Sequence, residues 1–160
     1  MKILDYIEEI VTVICMIVMT VLTFANVIAR YVFSASFSFS EEITTYLFVL
    51  ASLLGSAIAA KRKAHLGLTI LTDNLSAGAA KVCNVIGYAF GVLFSGGIFY
   101  YGILMVISQY NLGQKTAGMQ WPEWIFGSFV PIGALFVLIR FIQLTVNAVK
   151  EEPKVVSSNL

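Results

Sequence analysis

Charge is what this sequence has least of. Asp, Glu, Lys and Arg make up 12% of its 160 residues, where a soluble domain carries about 25%. That deficit excludes most soluble folds. Histidine is nearly absent too: His65 stands alone, and the two cysteines, Cys15 and Cys83, lie far apart. There is no C-x-x-C and no Cys/His cluster, whereas a zinc site needs three or four such ligands at close spacing. No metal and no cofactor is therefore expected. A Ser-His-Asp triad is excluded as well, because His65 has no Ser/Asp companions around it. The net charge is +1 and no basic arm is present, so no nucleic-acid partner is expected.

What the chain does have is apolar length. Hydrophobic residues reach 59% with a mean hydropathy of +0.88. Spanning a bilayer takes about 20 apolar residues. Ile10–Ala29 is uncharged for 20 residues, Ile43–Ala60 for 18, Val82–Gln114 for 33 and Trp124–Ile139 for 16. Arg140 interrupts the last block and Phe141–Val149 continues it; an Arg near a span's end can reach the headgroups. The third block is longer than a bilayer core, so a span over about 82–107 followed by a short extension outside is expected. The first run is too long for the apolar region of a cleaved leader, and Asp5, Glu8 and Glu9 precede it, so it is expected to be retained. The fold class is an all-α integral membrane protein with four transmembrane helices. One domain covers 1–150, and a disordered tail follows over 151–160.

Orientation follows from the bias of Lys and Arg toward the cytoplasm. Lys2, Lys61, Arg62, Lys63, Lys81, Arg140, Lys150 and Lys154 fall on the side of the termini, against Arg30 and Lys115 on the other. Both termini are thus expected in the cytoplasm, with Trp121 and Trp124 at the outer interface. Residues 2–9 and 65–76 carry apolar residues at helical spacing. Each fits either a short interfacial amphipathic helix or an ordinary extension or loop.

No ionisable residue falls in the middle of a span, and such residues are what mark ion and proton paths. The spans carry small residues instead: Ala51, Gly55 and Ala59 on the second, with Ser52, Ser56 and Ala60 beside them, and Gly87, Gly91 and Ser95 on the third. Small rows let helices approach closely. They fit packing among the four spans or contact with another subunit. Ser40 reads as an N-cap of the second span, with Glu41 and Glu42 suited to its first turn. Alternatively, Arg30 pairs with Glu41 or Glu42 at the outer edge. Pro131, flanked by Gly127 and Gly133, is expected to kink the fourth span, and Pro122 fits its first turn.

The run Asn26-Val27-Ile28-Ala29-Arg30-Tyr31-Val32-Phe33 is followed by Ser40-Glu41-Glu42, Leu47-Phe48, Gly55, Arg62 and His65. Gly118, Trp121-Pro122-Glu123-Trp124 and Pro131-Ile132-Gly133 come later. In order and spacing these landmarks resemble the small membrane subunit, of DctQ or SiaQ type, of tripartite ATP-independent periplasmic (TRAP) transporters. Phe39 stands where a tryptophan often precedes the acidic pair, and 66–76 lacks a proline. The resemblance implies a non-catalytic subunit in the bacterial inner membrane, within a sodium-driven importer of organic acids such as dicarboxylates or sialic acid. It implies two protein partners, a large multi-span membrane subunit and a periplasmic substrate-binding protein. On this basis Arg30, Glu41, Glu42, Lys115 and Trp121, with Gln120, are candidates for the periplasmic docking face. Ala51, Gly55, Ala59, Gly87, Gly91 and Ser95 are candidates for helix packing or large-subunit contact. Lys61, Arg62, His65 and Trp124 are expected to meet membrane lipids. The rival readings are a self-sufficient four-span exporter, a membrane redox enzyme, and a scaffold of an unrelated complex. The exporter would need a carboxylate within a span. The redox enzyme would need paired outer cysteines, which Cys15 and Cys83 do not supply.

Overall fold

The computed structural model describes residues 2–34, 37–61 and 77–150. They form α1 (Lys2–Val32), α2 (Ser38–Lys61), α3 (Ala77–Asn111), the short α4 (Glu123–Gly127) and α5 (Phe129–Lys150). Four stretches are long and apolar enough to cross a membrane: Tyr6–Val32, Ser38–Lys61, Gly78–Asn111 and Glu123–Lys150, the last combining α4 and α5. Helices satisfy their own backbone, which is why an apolar chain in lipid takes this form. Among the described residues the only strand-like pairing is an isolated bridge between Lys115 and Pro122. Arg62, Lys63, His65, the 65–76 segment and the 151–160 tail lie outside the described residues.

The helix boundaries have local causes. α1 stops where Ser34 enters the left-handed region, at φ +50°. The Asn26 side-chain oxygen then accepts a hydrogen bond from the Phe37 amide at 2.8 Å, folding the chain back into α2. Residues 2–9 are the first turns of α1 itself, so the separate interfacial helix is not formed there. α3 runs on helically to Asn111, so the start of the short extension expected after about Ile107 continues the helix. Its 35 residues would reach about 52 Å, well beyond a hydrocarbon core of about 30 Å.

The fourth span is interrupted for one residue, Ser128, ahead of its proline, and Ser128 keeps helical angles. α4 ends at Gly127 and α5 starts at Phe129, two residues before Pro131. Pro131 has no amide hydrogen to offer the Gly127 carbonyl, so the break falls at that carbonyl. Pro122 sits just outside α4, as its cap residue. Ser40 differs from expectation as well. α2 begins at Ser38, and Ser40 is 2% exposed with its hydroxyl donating to the Leu22 carbonyl of α1 at 3.1 Å. It ties two helices together instead of capping one.

The helices form an open row in which α1 packs on α2, α2 on α5, and α5 on α3. No comparable contact joins α3 to α1 or to α2 among the described residues. The core is correspondingly thin. Cys15, Leu50 and Leu54 form its centre, with Val11, Leu47, Ala51, Phe129 and Phe136 around them. One third of the most apolar window of the last span is buried, 33%, against 6% for α1. The last span is therefore the hub and α1 a flank open to its surroundings.

Candidate functional site

Two ends of the row are chemically distinct. One carries the α1–α2 turn and the 112–122 segment; the other carries the start of α1 and the end of α5. At the first, the 112–122 segment is a built structure. Gly113 turns the chain at φ +59°, where glycine has no Cβ to clash. The Gln114 amide donates to the Gln109 carbonyl at 3.1 Å, and the Glu123 amide to the Gln114 carbonyl at 2.9 Å. The Thr116 amide donates to the Trp121 carbonyl at 2.8 Å, while the Thr116 hydroxyl accepts from the Trp121 amide at 3.2 Å.

Glu42 locks this loop to α2. Its carboxylate accepts from the Gly118 amide at 2.5 Å and from the Met119 amide at 3.2 Å. A Cβ on Gly118 would lie 3.2 Å from the Glu42 carboxyl carbon and 3.3 Å from the Ser38 carbonyl carbon. Only a glycine lets the loop come this close without displacing them. Hydrogen bonds to an ionised acceptor contribute about 1.5–3 kcal/mol each. The loop so held presents Lys115, Gln120 and Trp121 outward, Trp121 at 58% exposure. Trp124 is half-exposed below it, with its ring edge-on to Tyr110 at 5.9 Å.

Glu42, Lys115 and Trp121 are thus brought together, whereas Arg30 and Glu41 are not joined to them. Those two line a separate cavity between α1 and α2. The alternative of an ion pair between Arg30 and either glutamate does not form among the described residues. Glu42 is committed to the loop amides, and Arg30 and Glu41 share a cavity without meeting.

The second correction is at the other end. Arg140 does not reach out to headgroups: it is 4% exposed, and Glu8 is 1% exposed beside it. Arg140 Nε donates to Glu8 Oε1 at 3.0 Å and Nη2 donates to Glu8 Oε2 at 2.8 Å, while Nη1 donates to the Gln143 side-chain oxygen at 3.2 Å. Both residues belong to spanning stretches, so the spans do contain ionisable groups, as a mutually neutralised pair. The signal that could have found it was Arg140 itself, a lone cation inside an apolar run that requires a partner. Lys61 closes α2 and is exposed.

The small-residue rows divide. Gly91 is used within the chain, since a Cβ there would overlap the Phe141 ring of α5. Ser95 is 1% exposed and its hydroxyl donates to the Gly91 carbonyl at 2.7 Å. Gly87 is half-buried on the same helix. On α2, Ala51 touches the core, but a Cβ on Gly55 would meet nothing within 4 Å. Ala59 lines an apolar cavity of about 310 Å³ with Leu53 and Ser56, opposite Ser95 and Ile98 of α3, over a floor of Ala134 and Val137. The sequence missed Gly133 and Gly102 as packing points. A Cβ on the first would lie 2.7 Å from Leu53, and on the second 3.3 Å from Pro131.

The family model for tripartite ATP-independent periplasmic transporters, DctQ component, matches residues 19–151. The chain belongs to this family. It is similar to the ectoine TRAP transporter small permease protein TeaB of Halomonas elongata, with 25% identity over 84% of this chain and 70% of that protein. It is 28% identical to the sialic acid TRAP transporter small permease protein SiaQ of Vibrio cholerae, over 93% of this chain and 85% of that protein. It also aligns with the sialic acid TRAP transporter permease protein SiaT of Haemophilus influenzae, at 26% identity over 77% of this chain but only 20% of that protein. The chain spans less than half the length of the C4-dicarboxylate small permease proteins it matches, 46% and 43%. It is a multi-pass protein of the inner membrane and a transport-system subunit, not an enzyme.

Proposed function

We propose that this chain is the small, non-transporting membrane subunit of a sodium-driven TRAP transporter that imports an organic acid. Its open row of helices widens the fixed frame of a large multi-span subunit, and its loop end helps to dock a periplasmic substrate-binding protein. The observation that carries this reading is the groove between α2 and α3. The two helices pack on α5 but not on each other, and Ser56, Ala59 and Ser95 open an apolar space between them that Leu53, Phe94, Ile98 and Phe141 border. Close packing of small surfaces supplies much of the association between helices in lipid, so the groove suits an apolar helix of the large subunit. The similarity to a permease protein five times longer than its aligned part supports a large membrane partner.

The basic bias of the termini places that end in the cytoplasm and the Glu42-braced loop in the periplasm. There Lys115 and Trp121 face outward on a backbone that is already ordered, which lowers the cost of docking. The exporter reading loses ground because the buried ionisable pair at Glu8 and Arg140 is neutralised internally. The test is an Ala59→Phe variant, which fills the groove. Co-purification with the large subunit should fall severalfold while the variant itself accumulates normally. Undiminished co-purification would reject the groove as the contact.

A further inference from the structure

At the loop end, α1 and α2 border an open cavity of about 460 Å³. α1 contributes Thr23, Arg30 and Tyr31 to its wall, and α2 contributes Glu41, Thr44 and Thr45. Three features bear on what this cavity can hold. The Arg30 guanidinium and the Glu41 carboxylate are exposed and form no ion pair with each other or with another described residue. The Thr44 hydroxyl oxygen is buried and has no hydrogen-bond partner among the described residues. Next to the cavity, α1 exposes apolar side chains, Val21, Phe24 and, in the cavity wall, Val27.

A cation and an anion in one cavity suit a ligand that itself carries both charges. A ligand with a single charge would satisfy one wall and repel or strand the other. The depth of the cavity adds a second constraint. Arg30 ends an uncharged run of 20 residues, Ile10–Ala29, about one hydrocarbon thickness. Tyr31, at 82% exposure, sits at the level where amphipathic rings favour the interface. The apolar flank then lies where acyl chains would run.

We propose that the α1–α2 cavity binds the headgroup of a zwitterionic phospholipid bearing a primary ammonium, of the phosphatidylethanolamine type. Arg30 takes the phosphate, and Glu41 accepts hydrogen bonds from the ammonium. A quaternary ammonium could not donate to Glu41, and an anionic headgroup leaves Glu41 without a cation. The bound lipid would fill the seam between α1 and α2 and fix the flank helix to the row.

Native mass spectrometry of the detergent-purified full chain tests this, with dioleoyl phosphatidylethanolamine, phosphatidylglycerol or phosphatidylcholine added at equal ratios. Phosphatidylethanolamine adducts should exceed those of the other two by about fivefold, the scale of one charge contact near a membrane surface. Arg30→Ala should weaken all three lipids. Glu41→Gln should abolish the preference while leaving phosphatidylglycerol binding intact. Lys150→Ala, at the far end of α5, should behave as the unaltered chain. Equal binding of the three lipids, or an Arg30→Ala variant that binds them normally, would overturn the proposal. Displacement of the lipid by soluble phosphoethanolamine at equal concentration would also overturn it, since the chains would then contribute nothing. Loss of periplasmic-protein capture in Arg30→Ala with unchanged lipid adducts would assign the cavity to protein contact instead.

Discussion

A carboxylate and a guanidinium among apolar helices are each costly alone, and Glu8 and Arg140 coexist there because each is the other's counterion. Their fork geometry gives two parallel charge-assisted hydrogen bonds. Removing one partner strands the other, at a cost of about 3–5 kcal/mol. Glu8→Ala should therefore lower the melting temperature of the detergent-solubilised chain sharply. A Glu8→Leu/Arg140→Met double variant should melt much closer to the unaltered chain, because both desolvation costs are removed together. Glu42 carries a different burden. Glu42→Gln should speed amide hydrogen exchange at Gly118 and Met119 and reduce uptake by the assembled transporter without reducing assembly. Glu42 was legible in the sequence as an outer-edge acidic residue, but its partners are backbone amides 76 and 77 positions away. Of the Glu8–Arg140 pair, 132 positions apart, the sequence showed the lone cation in an apolar run but not its partner. Periodicity reports faces of one helix, and neither contact lies on one helix.

At the scale of elements, the four spans were legible because apolar length is a property of contiguous sequence. Their ends were less so. The extension expected after about Ile107 proved to be a continuation of α3, and the irregularity expected from Pro131 fell at Ser128, three residues earlier. The small-residue rows could be seen but not sorted, since i, i+4 spacing is the same whether the neighbour is inside the chain or outside it. The structure sorts them by occupancy. Gly91→Leu should overpack the α3–α5 contact and destabilise the chain by about 1–3 kcal/mol or more, read as a lowered melting temperature. Gly55→Leu meets no obstacle within the chain, so it should leave the melting temperature unchanged. If the α2 row also meets the large subunit, this variant weakens co-purification instead.

At the scale of the molecule, the low charge of the chain and the open row of its helices describe one design. The described residues bury little of α1 and leave a groove between α2 and α3, so the surface suited to partners is large relative to the core. Cys15 and Cys83 are free thiols on different helices, and replacing both by Ala should leave uptake by the assembled transporter intact. The central claim is that this chain acts as a part of a larger permease. Purification of the tagged chain in mild detergent, with the co-purifying membrane proteins identified by mass spectrometry, tests it most directly. The account predicts a large multi-span permease in equal amount. Recovery of the chain alone, or only with further copies of itself, would contradict it.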